Sequence, residues 1–324
     1  MSIATEISRL QTAKANIKTS LENKGAIVPT ETKLDNYPSI IDNLPSGGGR
    51  DWTEIGYSSE PSSIQDGFDY AKTIKDNWNS SVTSLRSRFS RDTNLIYMPL
   101  VDTSNVTDFF NSFNECYSLV EVPLLDTSNV TDMRSTFGNC SSLKKIPLLD
   151  TSKVTYMMMC FTNCYSLKTI PQLNTSSVTN MTETFNNCNN LSEIPKLNIS
   201  NVTNITRTFS ACTKLTTVPE LNCEKVNSLN NAFGACSSLT NLGGLLNIGQ
   251  NYPLNSTADN YNLAIALVTS PNLTHDSLMN VINKVYDIAT KGVATQKIII
   301  GSTNIAKLTA EEIAIATNKG WSVS

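Results

Sequence analysis

Histidine is all but absent from this 324-residue chain, with His275 the only one. It reads as a solvated or capping residue on or just before a helix N-terminus, and it supports no Ser-His-Asp or Cys-His catalytic set. There is no Cys-x-x-Cys pair, so a zinc site has neither of its usual donor patterns. No apolar run approaches the roughly 20 residues that a membrane-crossing helix needs, and no membrane insertion is expected. Charge is scarce as well: charged residues make up 16% and the net charge is -3. Without a basic patch, nucleic acid is not an expected partner. The glycine run at 47–49 precedes no helical Gly-Lys motif and reads as linker rather than phosphate loop. The opening MSIATEISRLQTAKANIKTS lacks both an apolar core and a small-residue cleavage site, so no secretory signal is expected and synthesis in a cytoplasm follows. No cofactor and no metal are expected.

Asn, Ser and Thr stand where the missing charge would be, and they fall in a regular pattern. Pro99, Pro123, Pro147, Pro171, Pro195 and Pro219 recur every 24 residues. Phe89, Phe113, Phe137, Phe161, Phe185, Phe209 and Phe233 keep the same period, with the consensus LxxIPxLDTSNVTxMxxTFxNCxS. A period in this range is the signature of a stacked repeat architecture. One unit has too few apolar side chains for a core of its own. Stacking places the Leu, Ile or Val, second Leu, Val, Met and Phe of each copy in shared internal columns. Six cysteines, from Cys116 to Cys236, also recur every 24 residues, while Cys160 and Cys223 fill slots otherwise mostly Ser or Thr. One thiol per coil reads as a ladder of reduced, buried residues rather than a disulfide framework.

Within a unit, LxxIP is expected to be a short strand that its proline ends. DTSN turns the chain, with Asp102, Asp126 and Asp150, or Asn174, Asn198 and Asn222, accepting from amides two residues on. That turn role explains the aspartate column; calcium binding and paired-carboxylate glycoside cleavage are the alternatives it displaces. VTxMxxTFxNC is expected to run from an extended piece into one helical or 3₁₀ turn.

These motifs, seen in LKKIPLLDTSKVTYMMMCFTNCYSL and its neighbours, resemble the BspA-like class of leucine-rich repeats, found in bacterial surface proteins and bacteriophage structural proteins. The resemblance implies an α/β repeat fold: a right-handed, leucine-rich-repeat-like solenoid of 24-residue coils used for binding rather than catalysis. Seven repeats fill 78–245, with a cap at 51–77 and an α/β cap at 246–324. For the first cap, Trp52, Ile55, Ile64, Phe68, Ala71, Ile74 and Trp78 give a mostly helical apolar face. For the second, we expect a helix after Thr274 with Leu278, Val281, Ile282, Val285 and Tyr286 inward, a strand at Gln296–Ile300, and a final helix. The final helix opens with a Thr309/Glu312 capping box and stops at Gly320.

The flanks carry a second resemblance. Residues 1–46, joined by a Gly-rich linker at 47–50, resemble the small N-terminal module of phage tail and other virion-associated proteins, and IIIGSTNIAKLTAEEIAIATNKGW is similar to endings of the same proteins. Ile3, Ile7, Leu10, Ile17 and Leu21, with Lys14 among them, are spaced 4, 3, 4, 3 and 4. That spacing fits an oligomerisation seam interrupted by a charge, or an amphipathic helix folded back on 33–45. The resemblance implies a non-enzymatic bacteriophage virion structural protein, made in the bacterial host cytoplasm: a tail or head fibre, or a baseplate-associated component. It would be a homo-oligomer, with a trimer the form common among such fibres. Its N-terminal module would dock on other virion proteins and its solenoid would meet a host surface protein or glycan. A bacterial cell-surface adhesin of the same repeat class is the rival reading; a polysaccharide depolymerase, which needs an acidic cleft, ranks lower.

Partner contact is expected at variable positions between the core columns. There the second to fourth repeats carry Phe110, Tyr117, Arg134, Tyr156, Met158, Met159 and Tyr165, whereas later copies carry mostly Asn, Thr or Ser. Aromatic and Arg side chains are the usual anchors of binding surfaces.

Overall fold

The structure, a computed structural model, describes residues 62–251 and 264–324. The 1–46 module with its spaced Ile and Leu residues, the 47–50 linker, and Trp52 and Ile55 lie outside the described residues. The chain divides into two units, Met1–Gln65 and Asp66–Ser324, and the repeats belong to the second.

Each copy is one coil of a stacked array, and the 24-residue period is its hydrogen-bond register. Isolated parallel bridges join Tyr97 to Glu121 and Glu121 to Lys145 along one column, and Asp108 to Asp132, Tyr156, Asn180 and Asn204 along another. The LxxIP segment is expected as a strand, but true strands appear only in the last coils. There β1 (Thr217–Val218) pairs in parallel with β3 (Asn241–Leu242), and β2 (Leu221–Asn222) with β4 (Leu245–Leu246). In the earlier coils the LxxIP segment pairs with its neighbours through isolated bridges only.

The core is a set of columns. Leu95 through Leu239 and Val106 through Val202 are fully buried, as are all eight cysteines. The seven phenylalanine rings stack face to face, with centroids 5.4–5.7 Å apart and interplanar angles of 2–14°. Each thiol of the regular column donates to a phenylalanine carbonyl of the preceding coil, as Cys140 Sγ does to Phe113 O at 3.1 Å. Burial pushes the Cys116 and Cys236 thiols up to about 12 and raises the other six as well.

The DTSN turn uses every side chain it contains. Asp126 Oδ1 accepts from Ser128 N at 3.0 Å and Ser128 Oγ at 2.7 Å, and Asn174 makes the same pair of bonds, which is why the column tolerates both residues. Buried Thr127 donates forward to Asp150 O at 2.9 Å, while Asn129 Nδ2 donates backward to Ser104 O at 2.9 Å. One tetrapeptide thus closes its own turn and ties its coil to both neighbours.

The second half of the coil departs from expectation: no helical or 3₁₀ segment forms there. Every second peptide instead lies along the array axis. Phe109, Asn111, Phe113 and Glu115 donate to the carbonyls of Asp132, Arg134, Thr136 and Gly138 in the next coil, while the intervening amides of Ser112, Asn114 and Cys116 bond three residues back. This alternation puts two residues per coil in the left-handed region, for example Met159 (φ 57°) and Asn163 (φ 58°). Asparagine tolerates that conformation, and Asn139, Asn163 and Asn187 use it to form a side-chain ladder with 2.7 Å steps from Asn187 to Asn163 to Asn139. On the opposite side of the coil the direction reverses, with Val120 donating back to Ile96 O and Lys144 to Val120 O.

Both ends of the array are covered. At the first, α1 (Ser62–Asp76) brings Gly67 against Ile96, so close that a Cβ there would meet it at 2.8 Å. Tyr70 donates to Asp92 at 2.6 Å, and Trp78 Nε1 donates to Asp102 O at 2.8 Å. At the other end, α2 (His275–Lys284), capped by Thr274, lays Leu278, Val281 and Ile282 inward. Ser277 Oγ bridges the last coil, donating to Thr240 O and accepting from Leu242 N. Val285 leaves the helix in an extended conformation, so Tyr286 follows the helix rather than lining it. Beyond it, β5 (Ile265–Ala266), β6 (Gln296–Ile299) and β7 (Trp321–Val323) form a parallel sheet in the order β5-β6-β7. The strands at Ile265 and Trp321, and the short α3 (Ser302–Ile305), have no counterpart in the sequence reading. In α4 (Ala310–Asn318) the Thr309/Glu312 capping box is complete, and Gly320 follows with φ 86°.

Candidate functional site

The side chains of two neighbouring columns define a ridge on the first coils. Positions 108, 132 and 156 bridge from coil to coil; positions 86, 110, 134 and 158 follow two residues later. There the Arg86 guanidinium lies 4.4 Å from the Phe110 ring centroid, and Arg134 lies 5.0 Å from Phe110 and 5.3 Å from Tyr156. The result is an alternating cation and ring ladder, Arg86, Phe110, Arg134, Tyr156, over four coils.

Carboxylates fix the two arginines from the side. Arg86 Nε bonds Asp108 Oδ2 at 2.9 Å, and Arg134 forks onto Asp132, with Nε at 3.0 Å from both oxygens. Burial pushes the Asp132 carboxyl up, but the hydrogen bonds and charge of Arg134, with the charge of Arg86, outweigh it and hold the group below its ordinary value. The same hydrogen bond raises Arg134. The guanidinium faces are thereby committed to the rings, and the ridge is held in one arrangement before any partner arrives.

Of the residues singled out in the sequence, Phe110, Arg134 and Tyr156 meet in this ladder, and Tyr156 is 47% exposed. Met158 and Met159 lie half-buried in the same coil, Met159 in the left-handed conformation. Tyr117 and Tyr165 are exposed but belong to a column beyond the turns, two coils apart, with Ser141 between them and Tyr117 bonded to Glu115 at 3.2 Å. Arg86 was not singled out; its signal was that Arg86 and Arg134 flank Phe110 at the 24-residue period. Leu100, Leu124 and Leu148 were also missed, and they are 52%, 54% and 61% exposed.

His275 Nε2 lies 2.8 Å from Glu312 Oε1, joining α2 to the capping box of α4. Among the described residues, no group of three or more His, Cys, Asp or Glu is placed to hold a metal ion, and no helix is long and apolar enough to cross a membrane.

Coils of this register, with two leucine columns, one thiol column and a surface ladder, define a leucine-rich-repeat array of the BspA-like kind. The chain belongs to the family described as Mycoplasma protein of unknown function, DUF285, whose pattern matches residues 62–168 and 144–244 and so covers more than half of it. Among solved structures it is similar to a leucine-rich repeat protein from Bacteroides ovatus, at 17% identity over 64% of this chain and 51% of that one, with a TM-score of 0.29. This chain thus spans about half the length of that protein. No curated protein matches it.

Proposed function

We propose that the array is a non-enzymatic recognition element, a right-handed solenoid whose first coils contact a surface protein or glycan through the Arg86, Phe110, Arg134, Tyr156 ladder. The observation that carries this reading is the asymmetry of the ridge. The early coils hold rings and guanidinium groups in a fixed arrangement, whereas the same columns later carry Asn180 and Thr182, then Asn204 and Thr206. A column that only had to stack would have no need of that change, and Tyr and Arg dominate binding energy where they are pre-ordered.

The flanking segments, through their resemblance to virion-associated proteins, favour a place on a bacteriophage particle as a tail or head fibre or baseplate-associated component, with the N-terminal module joining copies and docking on other virion proteins. Membership of a BspA-like repeat family favours a second reading, a bacterial cell-surface adhesin. Immunogold labelling of a lysate separates them: label on particles supports the first, and label confined to cell envelopes supports the second. Light scattering is expected to find the full chain multimeric and a chain beginning at Asp51 monomeric; monomers in both cases would remove the oligomerisation seam.

The ladder itself is tested by giving its columns the residues found in later coils. Arg134→Thr combined with Tyr156→Asn is expected to lower adsorption to host cells at least about tenfold, with a melting temperature within a few degrees of the parent. Changing Asn180 and Thr182 to Ser should leave adsorption unchanged. Full adsorption by the first variant would make the array a spacer and move recognition elsewhere.

A further inference from the structure

The Pro-x-Leu corner carries a second surface, separated from the ridge by the DTSN turn. Leu125 N donates to Pro123 O at 2.9 Å and Leu149 N to Pro147 O at 2.9 Å, tight three-residue turns that put Leu124 and Leu148 at their apices, pointing outward. Exposure alternates along the chain there: Leu124 out, Leu125 buried, Asp126 out, with the same order in Leu100, Val101, Asp102 and in Leu148, Leu149, Asp150. Three successive coils therefore present a row of leucines beside a row of carboxylates. The pattern stops abruptly, because the same columns continue as Gln172 with Asn174, Lys196 with Asn198 and Glu220 with Asn222. Both rows change together although the turn bonds do not require it, since Asn174 and Asn198 hold their turns as Asp126 does.

We infer that this edge docks a basic amphipathic helix of a partner protein, lying along the array axis. Two features select that occupant. The carboxylates of Asp102 and Asp126 call for a cationic flank beside an apolar stripe. The spacing also fits: the phenylalanine columns of these coils repeat at 5.4–5.5 Å, and the pitch of an α-helix is about 5.4 Å. Apolar residues at i, i+4 and i+7 of such a helix then meet the leucines of consecutive coils in step, with lysines or arginines facing the aspartates.

The test uses the full chain and a synthetic helical peptide of about 18 residues, five turns, with a leucine stripe flanked by lysines; a second peptide carries glutamates in their place. Titration followed by fluorescence anisotropy is expected to show the lysine peptide binding at least about tenfold more tightly than the glutamate peptide, with the difference shrinking as salt rises. Asp102→Asn with Asp126→Asn should abolish the discrimination. Leu124→Gln with Leu148→Gln should weaken the lysine peptide by a similar factor. These replacements copy the chain's own later coils and so spare the fold. The ridge variant Arg134→Thr with Tyr156→Asn should bind the peptide as the parent does, which keeps this inference separate from the ladder. Equal affinity for the two peptides, or no effect of either double replacement, would overturn it. So would a self-association of the chain that the leucine replacements dissolve, since the edge would then be covered by a second copy.

Discussion

Phe161→Ala is expected to destabilise the array by about 3 to 5 kcal/mol, the range for removing a fully buried aromatic side chain without refilling its space. Phe161 has no exposed surface and stacks on Phe137 and Phe185 at 5.5 Å on each side, so its loss opens a gap between two rings that the hydrogen-bonded coils hold apart. Each coil touches only its neighbours, and a break in the middle uncouples the two halves of the array. Denaturant unfolding should therefore show a lower midpoint and a broader, less cooperative transition. A change below about 1 kcal/mol, typical of surface positions, would place the phenylalanine column outside the core and refute the packing described.

The second large effect concerns pH. All eight thiols are buried and all are raised above the ordinary value of 9.0. The folded state therefore keeps its protons where the unfolded chain releases them. That contribution is complete below the unfolded thiol's pKa and is lost as pH rises toward the folded value. Each thiol removes about 1.4 kcal/mol per pH unit within that window. With eight of them, the loss by one unit above the unfolded value is on the order of 10 kcal/mol, comparable to the whole stability of a typical domain. Stability should be flat from pH 6 to 8 and collapse cooperatively near pH 10. Hydrogen-ion uptake slopes from denaturation midpoints should fall when Cys164→Ala and Cys188→Ala remove two of the thiols. An unchanged slope in that variant would assign alkaline unfolding to tyrosine and lysine instead.

The columns of the core were legible in the sequence because their period never slips: Phe89 to Phe233, Leu95 to Leu239 and the cysteines keep their place, and a side chain that recurs once per coil can only stack on itself. The asparagine and aspartate roles in DTSN were equally readable from their local turn chemistry. The second half of the coil was not. Apolar spacings of 3 and 4 are shared by a helical turn and by peptides alternating between inward and axial bonds, and the left-handed residues that decide the matter include Met159, Glu183 and Arg207, which carry no preference for that conformation. Coil-to-coil hydrogen bonds impose it on them. The exposed Leu100, Leu124 and Leu148 were missed for another reason: they fall at the variable position of IPxLD, and a leucine beside the core leucine gives no sign of facing outward until the corner turn is seen. The ladder lay between these cases, since Phe110, Arg134 and Tyr156 stood out by type, while the role of Arg86 depended on which rings it reached.

The axial peptides have a consequence for growth. Along one side of each coil every second amide points toward the following coil, and along the other side amides such as those of Val120 and Lys144 point back, so the upper surface of any coil is the complement of the lower surface of the next. Left bare, the two ends would fit each other head to tail, an interface that repeats without closing and so builds filaments rather than pairs. The end pieces therefore do more than shield apolar rings. Thr269, whose hydroxyl accepts from Ala235 N at 2.7 Å, and α2, whose Ser277 occupies Thr240 and Leu242, take up bonds that another copy would otherwise use. They terminate a polymer that the repeat would otherwise propagate.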